Sequence, residues 1–270
     1  MDDALAALKL QIEWGADEAL DEAPVDRTRP ALTPPTPPPR LEAPAPSREE
    51  VPAPLRAVMP VARTTAPGVR AEQAAAAADS LAALRTALAD FDGCPLRDTA
   101  ANLVFGEGDE EARLMLVGDV PGEDEDRSGR PFVGPPGALL DRMLASIGLG
   151  RNDVQIAMLV PWRPPGGRPP SETEITLCLP FLLRHIALAA PRRLVLLGPL
   201  GARNLLPATG SRRRKRGTWV DLAVPGLATP IPALVTASPA ALLASPAGRR
   251  AAWADLRVLR RALDGDLSKS

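Results

Sequence analysis

The chain has 270 residues, with 32 basic and 33 acidic side chains and a net charge of −1, so neither bulk polycation nor bulk polyanion behaviour is expected of the whole. No run of about 18 apolar residues suggests a membrane span. The acidic start MDDALAALKL lacks the basic region of a secretory leader, and Cys94 and Cys178 are too few for a disulfide framework or, alone, for a metal site. A cytoplasmic location with no membrane partner is the expectation. The near-neutrality conceals an asymmetry. Residues 1–90 carry 9 basic and 14 acidic groups, hence −5, whereas 91–270 carry 23 and 19, hence +4. The later part is the one suited to a polyanion, although solubility accounts for +4 about as well.

In chain order, residues 1–20 are expected to hold a short helix, with Leu5, Leu8, Ile12 and Leu20 near one face. Residues 21–70 are Pro-rich, including TPPTPPP at 33–39. Proline fixes φ and removes donors, and little apolar surface is available there for burial, so this stretch reads as a disordered linker. A folded domain is expected over 71–265. It opens with an Ala-rich helix, roughly 71–90, stopped by the turn pair Asp92-Gly93. Short apolar runs then alternate with amphipathic segments. The expected strands are 113–117, 154–160, 193–197 and 232–236, and the expected helices are 137–147, 172–189, 199–206 and 247–263. That alternation predicts an α/β fold with a central four-stranded parallel sheet covered on both faces. Ligands of such sheets bind beyond the carboxyl ends of the strands, which directs attention to 118–137, 161–170, 198–201 and 237–246.

The first strand end, VGDVPGEDEDRSGRPFVG at 117–134, carries four consecutive carboxylates, Glu123 to Asp126. A solvated acidic turn at a helix N-terminus suits Glu123 and Asp124. The second strand end is PWRPPGGRPPSE at 161–172, the third is Gly198-Pro199, and the fourth is ASPAALLASP at 237–246. SRRRKRG at 211–217 is the densest cationic run.

Taken in order, VFGEG at 104–108, LMLVG through PFVG to LLDRML, RPP, Cys178-Leu179-Pro180-Phe181, the RG-W element at 216–219 and the final LL-x-x-P resemble the family 4 uracil-DNA glycosylases over residues 91–263. The resemblance implies a three-layer α/β/α fold, acting as a monomer on DNA that contains uracil or another modified base. It implies flipping of the target base out of the stack and hydrolysis of its N-glycosidic bond. Catalytic roles fall on Asp119, Glu125 and Ser238, and base-binding roles on Gly118, Phe132 and Met158. DNA contacts fall on Arg163, Arg168, Arg212, Arg213, Arg214, Lys215, Leu242 and Leu243, the leucines at the place of an apolar wedge.

The sequence departs from the family at four places. Asp119 stands where Glu is usual, Met158 where a uracil-reading Asn is usual, and Ser238 where the last motif has His. Serine before proline before a helical run is also an ordinary N-cap. Of the four cysteines that hold a four-iron cluster in the family, Cys94 and Cys178 match two, while Phe91 and Trp162 replace the others. Two thiolates do not meet the four-ligand requirement, so no cofactor is expected and the two aromatics are expected to plug the vacated volume. The sole histidine, His185, falls on an expected helix away from the cleft. Three functions follow: uracil excision with altered chemistry, excision of another damaged base through the less polar Met158 pocket, or a catalytically silent DNA- or partner-binding module. In the last, the acidic helix and Pro-rich arm are candidate docking elements for a protein partner.

Overall fold

A computed structural model describes residues 66–206 and 216–267. The expected helix at 1–20, the 21–65 part of the linker and the cationic residues Arg212, Arg213, Arg214 and Lys215 lie outside the described residues.

The Ala-rich segment is two helices rather than one, α1 (Pro67–Ala77) and α2 (Leu81–Asp90). It starts four residues earlier than expected because Pro67 takes a first-turn position, where its fixed φ suits the helix. It breaks at Ala78, which is extended, and restarts at Ser80, whose hydroxyl accepts from the Ala83 N–H at 3.2 Å. The carbonyl freed at Ala78 accepts two hydrogen bonds from Arg184, at 2.9 and 2.7 Å. A partner 106 residues away thus settles a break that local propensity does not demand.

Six strands follow: β1 (Gly106–Gly108), β2 (Leu114–Gly118), β3 (Gln155–Met158), β4 (Arg193–Leu197), β5 (Trp219–Leu222) and β6 (Ile231–Thr236). The sheet order is β1-β3-β2-β4-β6-β5. Its central four strands, β3-β2-β4-β6, are parallel, as expected. The edges β1 and β5 are antiparallel additions that the apolar pattern does not reveal. β1 reads Gly-Glu-Gly and has no apolar side chain to signal it.

The helices between are α3 (Glu123–Ser128), α4 (Gly134–Ala145), α5 (Glu172–Ala189), α6 (Pro199–Leu205), α7 (Pro239–Ala244) and α8 (Arg249–Leu267). Side chains alternate across the strands. Met115, Val117, Ala157, Leu194, Leu196, Ala233 and Val235 join an apolar cluster with α1, α2, α5 and α6. Leu114, Leu116, Ile156, Met158, Val195, Leu197 and Leu234 join a second cluster with α4, α7 and α8. These two clusters make the three layers. Among the described residues no helix is long and apolar enough to cross a membrane.

Candidate active site

Parallel pairing lines up four strand ends. Gly118 is opposite Met158 on one side and Leu197 on the other, and Leu197 is opposite Thr236. The chain leaves the sheet along this row through Asp119, Leu159, Gly198 and Ala237-Ser238.

Asp119 turns toward α6. Its carboxylate accepts from the N–H of Gly201 at 2.9 Å and of Leu200 at 3.3 Å. Burial raises its pKa, while those two hydrogen bonds and the charge of Arg203 oppose the rise. Gly198, at φ 133°, has to be glycine, because a Cβ there would run into the Asp119 carboxylate. One carboxylate is therefore held in a fixed orientation at the centre of the row, with part of its surface still open.

Gly118, Phe132 and Met158 meet. A Cβ on Gly118 would lie 2.8 Å from both the Met158 sulfur and the Phe132 ring, so the missing side chain permits the contact. Phe132 is only 6% exposed and has φ 49°, a left-handed conformation rare for an aromatic residue. Arg151 holds it there, donating to the Pro131 carbonyl at 3.3 Å and to the Phe132 carbonyl. Its other donors reach Asp141 at 2.7 Å and Glu107 at 3.5 Å. Hydrogen bonding from Arg130 in turn keeps the Glu107 carboxyl below its ordinary range, with burial opposing and the charges of Arg130 and Arg151 adding to the lowering. Gly137 completes the cradle, since a Cβ there would strike the Phe132 carbonyl. Sequence reasoning missed Arg151, Glu107 and Gly137. A glycine inside an apolar helical pattern was the one available signal.

The acidic stretch is helical rather than a turn. Glu123–Ser128 forms α3, with all four carboxylates in its first turn, where the helix dipole favours negative charge. Glu125, expected to be catalytic, reaches back to accept from the Gly122 N–H at 2.9 Å and is buried, and burial raises its pKa. Asp126 accepts from the N–H of Ala101 at 2.9 Å and of Asn102 at 3.3 Å. Glu123 and Asp124 pair with Arg127. These contacts give all four carboxylates structural partners.

Ser238 caps α7, its hydroxyl oxygen accepting from the Ala241 N–H at 3.2 Å. The hydroxyl donates to no acceptor among the described residues. The leucine pair divides. Leu242 is 3% exposed and packed in the second apolar cluster, so it cannot enter a duplex as it stands, whereas Leu243 is half-buried. Arg163 lies 3.9 Å from Glu123. Arg168 grips Glu174 with both terminal nitrogens, at 2.9 and 2.6 Å, and Glu174 also accepts from the Ser171 N–H at 2.7 Å to box the start of α5. Arg168's hydrogen bonds are the main reason the Glu174 carboxyl falls to about 2.

Phe91, Cys94, Trp162 and Cys178 are all buried in the first apolar cluster. Phe91 packs on Phe181 with ring centroids 5.3 Å apart. The Cys178 thiol is pushed well above its ordinary range by its hydrogen bond with Cys94 and by burial. Two hydrogen-bonded free thiols, with a phenyl ring and an indole at the other two positions, do not supply the four thiolates of a four-iron cluster. Among the described residues no group of three or more His, Cys, Asp or Glu is placed to hold a metal. His185 is buried and stacked on Phe105 at 4.7 Å, and burial lowers its pKa to about 4. It lines a groove of about 1160 Å³ that includes none of Asp119, Phe132, Met158 and Ser238. The oriented Asp119 carboxylate and the strained Phe132 ring lie outside this groove, at the strand-end row.

Comparison with known proteins gives a consistent result. The model of the uracil DNA glycosylase superfamily matches residues 105–257. The type-4 uracil-DNA glycosylase of Pyrobaculum aerophilum is 41% identical over 134 residues, covering 50% of this chain and 68% of that protein. Those of Sulfurisphaera tokodaii and Archaeoglobus fulgidus are each 45% identical, over 121 and 109 residues, covering 44% and 40% of this chain and 55% of each relative.

Proposed function

Because the chain belongs to the uracil DNA glycosylase superfamily, we propose that it is a DNA glycosylase that removes uracil or another modified base flipped out of DNA. The observation that carries this reading is the row of strand ends, along which Asp119 and the Gly118–Phe132–Met158 contact stand at β2 and β3 and Ser238 follows β6. Phe132 stacks on the extruded base and Met158 lies against its edge. The N-glycosidic bond breaks with its electron pair passing to the base. The Asp119 carboxylate offsets the cation-like sugar, orients the water that adds to it and accepts the proton that water releases, and the Ser238 hydroxyl donates to a carbonyl oxygen of the departing base, where its charge collects. Methionine offers a pyrimidine edge only a weak acceptor, against the donor and acceptor of asparagine. Discrimination among bases is therefore weaker than an asparagine would give. Arg163, Leu243 and the cationic run 211–215 are proposed as backbone and wedge contacts, and Arg168 as a loop-stabilising residue. The Phe91–Trp162 plug is proposed to replace the cluster, so anaerobically purified protein should contain far less than stoichiometric iron.

The test is single-turnover cleavage of oligonucleotides carrying uracil or other deaminated bases, with Asp119→Asn and Ser238→His alongside. Abasic product from the wild type that disappears in Asp119→Asn supports the reading. A second reading, a catalytically silent DNA-binding module, is favoured by the structural engagement of Asp119 and Glu125. Wild-type silence on every lesion, with salt-sensitive DNA binding retained, would support it.

A further inference from the structure

Helix α8 has two different faces. Ala252, Asp255, Leu256 and Leu259 face inward. Asp255, the only acid between residues 249 and 261, is buried and held by Arg216 at 2.9 Å and Thr236 at 2.7 Å. The outward face carries Arg250, Trp253, Arg257 and Arg261, at successive offsets of three, four and four residues, all exposed. Trp253 is 46% exposed and makes no ring contact among the described residues. Arg250 and Arg257 make no ion pair or side-chain hydrogen bond among them, whereas Arg249 and Arg260 are tied to the Leu242 and Ile147 carbonyls. A lone exposed indole is ordinary. Here the indole is bracketed by guanidinium groups one turn away on either side, with Asp255 turned inward beneath it, and the first outward acid, Asp264, lies three turns on from Trp253 and is paired with Arg260.

The stripe begins at the candidate cleft. Arg249 bonds the carbonyl of Leu242, and Asp255 bonds Thr236, the last residue of β6 and a member of the strand-end row. Farther along, Asp266 pairs with Arg193, the first residue of β4. The helix thus runs from the carboxyl rim of the sheet to its amino rim, with Trp253 level with the strand ends. Arg250 and Arg257 are separated by about 10 Å along the axis.

We infer that the outer face of α8 binds the single-stranded DNA that leaves the cleft, Trp253 stacking on an unpaired base and Arg250, Arg257 and Arg261 contacting phosphates. An indole finds a free base face only where pairing is absent, and stacking of this kind tolerates any sequence. The inference rests on the reading of the strand ends as a DNA site but not on excision.

The experiment uses the full chain and an unmodified 15-nucleotide oligonucleotide, single-stranded or as a blunt duplex, read by fluorescence anisotropy. Trp253→Ala should weaken single-strand binding about fivefold or more and leave duplex binding within about twofold. Trp253→Phe should keep most of the affinity. Arg250→Gln with Arg257→Gln should flatten the log-affinity against log-salt slope by about 1.4, at roughly 0.7 for each phosphate no longer neutralised. Equal single-strand affinities of wild type and Trp253→Ala would overturn the inference. So would an equal weakening on the duplex, or a Trp253 dependence seen only with anionic phosphatidylserine vesicles. Excision is assayed separately, so Trp253-dependent binding by a protein that cuts no lesion would leave this inference standing while the glycosylase reading fell.

Discussion

Replacement of Arg151 by lysine tests how Phe132 is held. The aromatic sits at φ 49°, a conformation that costs a non-glycine residue about 1–2 kcal/mol. Arg151 opposes that cost with hydrogen bonds to the Pro131 and Phe132 carbonyls, while its remaining donors engage Asp141 and Glu107. A hydrogen bond to a charged group contributes about 1.5–3 kcal/mol. At 22% side-chain exposure the lower end applies, so the two carbonyl hydrogen bonds together are worth about 3 kcal/mol. Lysine is a point donor without the planar fork and recovers one of them, giving an expected destabilisation of about 1.5 kcal/mol. The ring should then shift, and a displacement near 1 Å at a reacting centre can cost about 100-fold in rate. Urea denaturation gives the first quantity and single-turnover cleavage the second. Phe132→Gly supplies the control, since glycine holds a positive φ unaided. In that background Arg151→Lys should cost about 1 kcal/mol less. Equal costs in the two backgrounds, within about 0.3 kcal/mol, with an unchanged rate, would refute the reasoning.

Other substitutions reach different parts of the site and core. Gly198→Ala places a Cβ against the Asp119 carboxylate at a φ that alanine resists, and should destabilise by about 2 kcal/mol or more in urea while lowering cleavage. Asp119→Asn removes a carboxylate whose pKa is raised by burial. Asparagine is relieved of the charge's burial cost but can accept from only one of the Gly201 and Leu200 N–H groups, so the urea midpoint should move little while the cleavage rate falls about 100-fold or more. Acid stability should be lost in two overlapping windows. His185 is lowered to about 4 from 6.5, so the unfolded chain binds the extra proton and stability falls as pH drops from 6.5 to about 4; His185→Phe should flatten that limb. Glu174 is lowered to about 2 from 4.5, so its contribution is present above 4.5 and is lost as pH falls toward 2. Undiscounted that lowering is roughly 3 kcal/mol. Arg168 is 47% exposed, and screening brings the expected effect to about 1–2 kcal/mol, to be read from urea midpoints of wild type and Glu174→Gln.

Much of the fold is written in local spacing. The apolar run at 193–197 and the helical pattern at 172–189 coincide with β4 and α5, because a buried parallel strand and a capped amphipathic helix each announce themselves within their own residues. Alternation of such runs is enough to give the parallel centre of the sheet. The ordered motifs are enough to point to the superfamily. Local spacing does not reveal the edges: β1 has no apolar side chain, and β5 exists because β6 offers it an open edge.

At the candidate site the division is sharper. That Asp119 and Ser238 stand just beyond strand ends follows from the sequence, since each lies within two residues of an apolar run, whereas Met158 falls inside the expected strand 154–160 and only the observed strand, Gln155–Met158, puts it at an end. What their neighbours do does not follow. The family motif suggests chemistry for the carboxylate of Glu125, which is a helix cap three residues from its donor. It pairs Leu242 with Leu243 as a wedge, yet Leu242 is core. The strain at Phe132 is held by Arg151, 19 residues on, which is tied in turn to Glu107, 44 residues back. The sequence determines which side chains exist and the period on which they recur. Only the tertiary structure decides which buried polar groups satisfy one another, because that depends on where distant segments meet once the sheet has set their register.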